Sequence, residues 1–345
     1  TIATNAVLER KLPNAALVTT AGFEDVLEIG RHNRREVYSV WPRPVPALVP
    51  RQRRFGLAER MTARGTAEVV PTSLAIEGIV ARLREADVST VAICLLHAYA
   101  NPAHEQQMAN AIAAALPHLT TSCSSDVSPE IREYERTSTT VLNALLQPVV
   151  QSYVDKLRAR LSAEKFEPQL LLVQSNGSVC SPATAAREPV RLLLSGPSGG
   201  AMAALSLSRA LGLPNVVGVD MGGTSYDVSL VRDDRIEIVT QSEIDRLPVR
   251  VPMVEIRTIG AGGGSIARGL PGRRCTHAVP FHPQAARAAG RHAPVPVPRL
   301  QGAGARPFRV GNHGGRREDA QHPCGRRRGR SQLRSHARGA RCHPG

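Results

Sequence analysis

The sequence predicts an α/β protein, and two observations carry that prediction. Apolar runs typical of buried strands, such as Ala15 to Thr20 and Thr90 to Ala98, alternate with stretches of helical periodicity. In addition, Val216 to Val231 holds two strand-like runs joined by a glycine pair, which predicts a β-hairpin. Strands and helices that alternate at this spacing favour parallel βαβ units.

The first half of the chain supplies most of the alternation. Thr4-Asn5 is predicted to cap a short helix, and Leu74 to Ala86 is predicted to be a second helix. Residues 37–54 are rich in proline and arginine, which predicts an extended surface segment. Asn101-Pro102 resembles a helix start with proline in the first turn, and this helix should run to about Leu116.

A long helix is predicted in the middle of the chain. Helical periodicity extends from Glu133 to Ala163, with Pro148 expected to end or kink the helix. Near its start, Glu133, Glu135 and Arg136 are interpreted as solvated charges.

Two further elements precede the hairpin. Pro168 to Gln174 is predicted to be a buried strand. Ala201 to Leu211 is predicted to be a helix of small residues, stopped by Gly212 and Pro214.

The last 76 residues differ in composition from the rest. Residues 270–345 contain 16 Arg, no Lys and two acids, so they carry +14 of the formal charge of +15. They hold too few apolar residues to offset chain entropy, which predicts a disordered, low-order tail. A basic nucleic-acid arm and a zinc site at Cys275, Cys324 and Cys342 are the alternatives, but the cysteine spacing matches no ligand pattern. The preferred interpretation is a GC-rich gene read out of frame.

Residues 1–269 are nearly neutral, so they give no sign of a nucleic-acid or membrane partner. Cys94, Cys123 and Cys180 form no CxxC pair, a pattern that favours a reducing cytoplasmic location. No apolar run reaches the length of a membrane span. Because residue 1 is Thr, the chain is expected to be a fragment of a longer gene product.

The hairpin residues suit a nucleotide phosphate and its cation. The backbone N–H groups of Gly222 and Gly223 can approach phosphate oxygens closely, and the hydroxyls of Thr224 and Ser225 can add donors. Asp220 and Asp227, which flank the turn, can hold Mg²⁺ or orient an attacking water. The alternative is a structural hairpin whose glycines only turn the chain. A second glycine run, Gly262, Gly263 and Gly264, is predicted to lie near the nucleotide.

The pattern of strand, Asp220, Gly-Gly-Thr-Ser and Asp227 resembles the second phosphate-binding hairpin of the actin-like ATPase superfamily. Other segments of the chain make the resemblance more specific. In chain order they are TIATNAVLER, LVTTAGFEDVLEIGR, CLLHAYANPAHE, PEIREYERTSTTVLNALLQPVV, the Ser175–Gly212 stretch with SGPSGG, and VEIRTIGAGGGSIARG. Together these motifs resemble the A-type subunit of the hydantoinase/oxoprolinase family, which includes N-methylhydantoinase A, 5-oxoprolinase and the acetone carboxylase beta subunit. The resemblance covers residues 1 to about 269.

This resemblance implies incomplete actin-like (ribonuclease H-like) lobes. It also favours Arg136 and Thr137 as residues of the cleft, an alternative to the interpretation of Arg136 as a solvated charge. The expected domains are an N-terminal region at 1–130, a central region with the phosphate-binding hairpin at 131–269, and the tail at 270–345. The implied function is ATP-dependent opening of a cyclic amide such as a hydantoin or 5-oxoproline, the latter a reaction of glutathione metabolism, with Mg²⁺ as the metal. A B-type subunit or domain is the implied partner.

Two nucleotide elements typical of the superfamily have no copy here: an earlier DxGGTxxD hairpin and a late Gly-Gly adenosine loop. The chain is therefore expected to be a partial, inactive fragment for ATP turnover. Alternative functions are a sugar kinase on the same fold, an acetone-carboxylase-type subunit, a chaperone-type ATPase and a non-enzymatic binding protein with a basic tail.

Overall fold

The computed structural model describes residues 2–33, 38, 40, 47–166, 169–223, 225–263, 266–267 and 278–279. Its helices are α1 (Ile2–Leu8), α2 (Val26–Ile29), α3 (Ser73–Glu85), α4 (Ala103–Ala115), α5 (Ser124–Val127), α6 (Glu133–Ala163), α7 (Pro182–Arg187) and α8 (Ser195–Leu211). Short 3₁₀ turns cover Arg51–Arg53 and Pro189–Leu192. Within the described ranges, no helix is both long and apolar enough to cross a membrane.

The first sheet is parallel and buried on both faces. Its strands are β1 (Ala15–Thr20), β2 (Arg54–Leu57), β5 (Thr90–Cys94) and β6 (Thr120–Cys123), in the order β2-β1-β5-β6. Every neighbouring pair is parallel. Strands buried on both faces read as continuous apolar runs, which is why β1 and β5 could be recognised from sequence. Helices α3 and α4 cover one face, and α6 covers the other.

The second sheet is antiparallel and is covered by helix α8. It contains β9 (Val216–Met221), β10 (Tyr226–Arg232), β11 (Arg235–Ile236) and β16 (Ile256–Ile259), with β10 paired to each of the other three. Helix α8 packs on β9 and β10. Alternate side chains of β9 point away from this helix, and Val217, Val219 and Met221 are exposed. The second sheet therefore has one covered face and one open apolar face.

The remaining strands form short antiparallel pairs. They are β3 (Arg60–Met61) with β4 (Ala67–Val69), β7 (Leu172–Val173) with β8 (Val179–Cys180), β12 (Ile238–Val239) with β15 (Met253–Val254), β13 (Ser242–Ile244) with β14 (Leu247–Val249), and β17 (Ile266–Ala267) with β18 (Ala278–Val279). Strand β18 is the part of the 270–345 tail that the structure describes, and the predicted order of the rest lies outside the described residues.

Helix α6 joins the two halves of the molecule. Val141, Ala144 and Leu145 pack against the first sheet. Leu142 and Leu146 face a separate core formed with α1, α7, β14 and β15. The mixed α/β fold predicted from sequence is confirmed, as is the antiparallel hairpin, whose register pairs Met221 with Tyr226 and Val216 with Val231.

Several local predictions were wrong because tertiary contacts outweigh local signals. Thr4 lies inside α1 rather than capping it, and its Oγ1 accepts a hydrogen bond from the Leu194 N–H at 2.9 Å. Arg54 is buried in strand β2 and does not belong to a surface segment, because β2 pairs with β1 and Arg54 lies opposite Leu17 in that pair. The strand expected to reach Ala98 ends at Cys94, although the residues that follow stay buried except His97.

Three predictions in the second half also needed correction. Helix α6 continues through Pro148 because packing on both sides holds it, so an end at this residue is wrong, while a kink there stays a prediction. The strand expected at 168–174 shrinks to Leu172–Val173, which pairs in a partly exposed hairpin. Helix α8 begins at Ser195, six residues earlier than predicted, because its first turn is fixed by Ser198 Oγ, which donates to Ser175 O at 2.8 Å.

Glu135 and Arg136 are buried, contrary to the prediction of solvated charges. Glu135 accepts two hydrogen bonds from the Arg31 guanidinium, at 2.8 and 2.6 Å. Burial disfavours the ionised form of Glu135, but the Arg31 hydrogen bonds, a backbone hydrogen bond and the charges of Arg31 and Arg132 together outweigh burial and lower the pKa of Glu135 below its ordinary value. A partner 104 residues away along the chain therefore explains how this carboxylate is buried.

Candidate nucleotide site

The hairpin turn is short and closed by backbone hydrogen bonds. The Gly222 N–H donates to the Ser225 carbonyl at 3.0 Å, directly between β9 and β10. Gly223 is exposed, and no side-chain or backbone atom would contact a Cβ placed there. Thr224, predicted to contact phosphate, lies outside the described residues. The turn thus presents open backbone at its tip, as a phosphate contact requires.

The structure brings the two predicted carboxylates together. Asp220 and Asp227 are directly opposite each other in the β9–β10 register. Side chains opposite each other across an antiparallel pair lie on the same face, with Cβ atoms about 4.5–5.5 Å apart. Like charges in that position are destabilising. A cation between the two carboxylates would remove this repulsion.

The two carboxylates have different surroundings. Asp227 Oδ1 accepts a hydrogen bond from Thr258 Oγ1 at 2.6 Å, and its Oδ2 accepts a longer one from Ser225 Oγ at 3.4 Å. Asp227 is half-buried, whereas Asp220 is exposed. Among the described residues no hydrogen bond or ion pair involves the Asp220 carboxylate. Asp227 is therefore held in place, and Asp220 is free to bind a ligand.

The second glycine-rich loop meets the hairpin turn. The Gly263 N–H donates to the Gly222 carbonyl at 2.9 Å, which places this loop beside the turn. Gly262 is buried next to it. Gly264 lies outside the described residues. Two glycine-rich segments that are about forty residues apart in sequence are thus adjacent in the fold.

Helix α8 closes the site from the covered face of the sheet. A cavity of about 220 Å³ separates the helix from the hairpin; its lining includes Pro197, Gly200, Ala201, Asp220 and Asp227. Gly218 permits this close packing, because a Cβ there would lie 2.5 Å from Ser229 Oγ and 3.0 Å from the Ala204 Cβ. The first turns of α8 carry small side chains, so the cavity between helix and carboxylates stays open.

This arrangement fits Mg²⁺ and a phosphate group. Mg²⁺ in proteins keeps several waters and is bound through one or two carboxylates together with substrate phosphates. Asp220, with Asp227 beside it, supplies that donor set. In the parts of the chain that the structure describes, no group of three His, Cys, Asp or Glu side chains forms a larger metal site. A closed, all-protein metal cage is thus absent from these parts.

Thr258 is a site residue that the sequence did not indicate, since its hydroxyl donates to Asp227 Oδ1 only in the folded sheet. Its position follows from the pairing of β10 with β16, in which Asp227 lies opposite Thr258. That register is set by sheet formation between segments 31 residues apart. The sequence carries no local signal for it, because a threonine in a strand is common for packing reasons alone.

A larger groove lies elsewhere and contains none of the predicted site residues. It has a volume of about 470 Å³ and lies between the end of α6, residues 169–171 and the start of α7. Its lining is mainly apolar, with Leu161, Phe166 and Leu171 among its side chains. It brings no carboxylate or histidine together, so the chemistry of the molecule points to the smaller cavity.

Two family models match the chain. Residues 1–116 match the hydantoinase/oxoprolinase N-terminal region, and residues 136–293 match the hydantoinase/oxoprolinase family model. The second match extends past residue 269, where the sequence analysis placed the end of the resemblance.

Named relatives and solved structures carry the same signal. The caprolactamase subunit alpha of Pseudomonas jessenii is 36% identical over 269 residues, covering 77% of this chain and 39% of the relative. The 5-oxoprolinase of Saccharomyces cerevisiae is 30% identical, covering 77% of this chain and 22% of the relative. The crystal structure of the ATP-dependent caprolactamase from Pseudomonas jessenii matches with a TM-score of 0.73 at 34% identity, covering 81% of this chain and 40% of that one.

Nucleotide-free acetone carboxylase matches with a TM-score of 0.68 at 27% identity, covering 81% of this chain and 41% of that chain. The chain spans about two fifths of the length of these two structures. With two family models matched in order along most of its length, the chain belongs to the hydantoinase/oxoprolinase family.

Proposed function

We propose that this chain provides part of the nucleotide site of an ATP-dependent enzyme that opens cyclic amides of the hydantoin or 5-oxoproline type. The single observation that carries the proposal is the facing pair Asp220 and Asp227 beside two joined glycine-rich segments. Relatives named as 5-oxoprolinase and caprolactamase favour a cyclic amide as the substrate.

A cyclic amide resists hydrolysis because resonance makes its nitrogen a poor leaving group. When bound, Mg-ATP supplies a phosphoryl group that can activate the amide oxygen, and the metal neutralises phosphate charge. Asp220 would hold the cation or orient the attacking water, and Thr258 positions the Asp227 carboxylate beside it by donating a hydrogen bond to Oδ1. The backbone N–H of Gly223 would contact a phosphate oxygen, and Thr224, Ser225 and the Gly262–Gly264 loop would share this role.

This function requires a second subunit, and the cysteines of the chain favour a cytoplasmic location. Several relatives are named as subunits, among them caprolactamase subunit alpha and the acetone carboxylase beta subunit. We propose a B-type subunit or domain as the partner that completes hydrolysis, so this chain alone is inactive in turnover. Cys94, Cys123 and Cys180 are free thiols, which supports a reducing cytoplasmic location.

A hybrid enzyme tests the proposal directly. Residues 1–263 of this chain would replace the corresponding region of the Pseudomonas jessenii caprolactamase subunit alpha, which keeps the remainder of that subunit. The hybrid would be assayed, with its partner subunit, for ATP hydrolysis that depends on 5-oxoproline, a hydantoin or caprolactam. We expect hydrolysis stimulated by at least one cyclic amide.

Two outcomes would contradict the proposal. A hybrid that folds and assembles but hydrolyses ATP at the same rate with and without every cyclic amide would refute the assignment of substrate class. Phosphorylation of a sugar by the hybrid would favour the sugar-kinase alternative on the same fold. The unmodified Pseudomonas jessenii caprolactamase, assayed in the same way, provides the reference rate.

A further inference from the structure

Arg136 is a buried cation with incomplete bonding. Its side chain is 1% exposed, and its Nη2 donates to the Leu95 carbonyl at 2.7 Å. Its Nε and Nη1 have no hydrogen-bond partner. The neighbouring Glu135 is occupied by Arg31, and no ion pair to Arg136 exists among the residues that the structure describes.

Such an arrangement is costly unless something compensates it. A guanidinium stays protonated in proteins, so Arg136 cannot become neutral on burial. A buried charge without a partner is strongly destabilising, whereas a paired and hydrogen-bonded charge is tolerated. The bond to Leu95 O satisfies one nitrogen and supplies no negative charge.

Two other buried carboxyl groups, Glu105 and Glu59, are already bonded to other partners. Glu105 accepts from Leu95 N–H at 2.9 Å, from Ser124 Oγ at 2.6 Å and from Ser125 N–H at 2.9 Å. Burial also raises the pKa of Glu105, which favours its neutral form. Glu59 is bonded to Thr20 and to His104 Nδ1. Neither group neutralises Arg136.

The location of Arg136 is one that binds ligands in open α/β sheets. In the order β2-β1-β5-β6, the chain places β2 on one side of β1 and then β5 on the other side. The direction in which strands are added to the sheet therefore reverses between β1 and β5. Ligands bind such sheets outside the carboxyl ends of the strands at this reversal point. Thr20 ends β1, and its Oγ1 accepts from the N–H of Leu96, two residues beyond the end of β5. The guanidinium is bonded to Leu95, so it lies at this crevice.

A partly exposed tyrosine, Tyr99, lies over the guanidinium and pairs with the partly exposed His97. The Arg136 Cζ lies 5.4 Å from the centre of the Tyr99 ring. Tyr99 Oη is 2.9 Å from His97 Nδ1, and the two rings pack edge to face. His97 has a φ of 53°, a left-handed conformation that costs energy for a residue other than glycine and often marks ligand sites.

We propose that Arg136 marks a binding site for a small oxyanion, a carboxylate or phosphate group of a small molecule, at the carboxyl ends of β1 and β5. The anion bonds to the free N–H groups of Arg136, with the Tyr99–His97 pair as its cover. This site is separate from Asp220 and Asp227, whose negative charges suit a cation. It does not depend on the proposed reaction, because the buried charge needs an anion whichever reaction the enzyme catalyses.

The test is a titration of the 345-residue chain with sodium phosphate or sodium acetate, with sodium chloride keeping ionic strength constant. Binding is followed by the NMR signal of the Arg136 Nε–H and by the melting temperature. We expect a saturable change with at least one anion. Phosphate alone would identify a phosphate site, and acetate alone would identify a carboxylate site.

Variants separate this site from general anion effects. Arg136→Lys keeps the charge but has fewer donors, so we expect about tenfold weaker binding. Arg136→Gln should abolish the saturable response. Arg250→Gln is the matched control: the Nε of Arg250 also lacks a partner, but its guanidinium pairs with Glu130 and donates to Ile131 O at 2.7 Å. This control should respond as the wild type does.

A response that does not saturate, that chloride reproduces, or that Arg136→Lys leaves unchanged would overturn the proposal. So would the absence of any response to either anion. If Arg136→Gln fails to fold, Arg136→Lys and the wild-type NMR titration still decide the question, because both retain the buried charge and its bond to Leu95.

Discussion

The carboxylates beside the two sheets of this molecule differ in burial and in hydrogen bonding. Beside the parallel first sheet, Glu59 and Glu105 are buried; Glu105 accepts hydrogen bonds from Leu95 N–H, Ser124 Oγ and Ser125 N–H, and Glu59 is bonded to His104. In the antiparallel second sheet, Asp220 is exposed and Asp227 lies directly opposite it. A buried carboxyl with several donors fixes structure, whereas the exposed Asp220, which faces a second carboxylate, has free bonding capacity for a ligand.

The same contrast holds for the apolar side chains. Strand β5 is fully buried between helices, while β9 of the second sheet shows Val217, Val219 and Met221 to the outside. Stability should therefore be concentrated in the first sheet and chemistry in the second.

A core truncation in the first sheet should have the largest effect on stability. Ile93→Ala removes a side chain that is 0% exposed at the centre of β5, so we expect a loss of about 2–5 kcal/mol in the free energy of unfolding. Val219→Ala, at 53% exposure in β9, should change it by less than about 0.5 kcal/mol. Urea unfolding of both variants measures the difference. Equal losses would remove the distinction between the sheets.

Asp220→Ala should separate chemistry from stability in the second sheet. In the hybrid enzyme we expect the rate of cyclic-amide-dependent ATP hydrolysis to fall about a hundredfold or more, because cation and water positions are lost. The melting temperature without nucleotide should stay the same or rise slightly, since one of two facing like charges is removed. A lower melting temperature with normal activity would make Asp220 a structural residue.

Thr258→Val should have an intermediate effect through Asp227. The substitution keeps the shape of the side chain but removes the hydroxyl that donates to Asp227 Oδ1. We expect about a tenfold lower hybrid rate, because a misplaced carboxylate weakens positioning. Thr258→Ser retains the hydroxyl and should restore most of the rate. Should both variants lose activity equally, the methyl group and not the hydrogen bond would be the important feature.

The Arg31–Glu135 pair should give the smallest effect, visible as pH dependence. The pKa of Glu135 is lowered in the folded protein, so its contribution to stability is present above the unfolded pKa of about 4.3 and is lost as pH falls through the folded value. Arg31→Gln should remove this contribution at pH 7 and flatten the loss of stability below about pH 4. Melting temperatures recorded from pH 3 to pH 7 measure it.

Arg187→Gln is the control for this pair, because Arg187 also bonds a glutamate but its side chain is 71% exposed. Its pH profile should match that of the wild type. A pH profile of Arg31→Gln identical to that of the wild type would show that groups other than Arg31 lower the pKa of Glu135.

The sequence predicted features that depend on local pattern. The strand Ala15–Thr20, the helix near Leu74–Ala86 and the hairpin each have a strong period or a turn signal, and all three are confirmed. The two hairpin carboxylates were identified correctly as neighbours because the turn fixes their register. Their roles in binding and catalysis stay a proposal.

Features that depend on distant partners could not be predicted. Thr4 was misread as a cap because its partner, Leu194, lies 190 residues away. The burial of Arg136 and the bond between Thr258 and Asp227 likewise arise only when separate strands and helices come together. Helical periodicity predicts which face of α6 is apolar. It does not predict which charged residues become buried when other elements pack against the helix.

Helix α6 also sets how local opening is distributed along the chain. At 31 residues it is about 46 Å long. Residues 135–147 are enclosed between the two halves of the molecule, whereas most residues from Gln151 onward are exposed. Amide protons in the enclosed part can exchange with solvent only when the surrounding core opens, but those in the outer part exchange by fraying of the free end. Pro148, which has no amide proton, stands at the border between these two regimes.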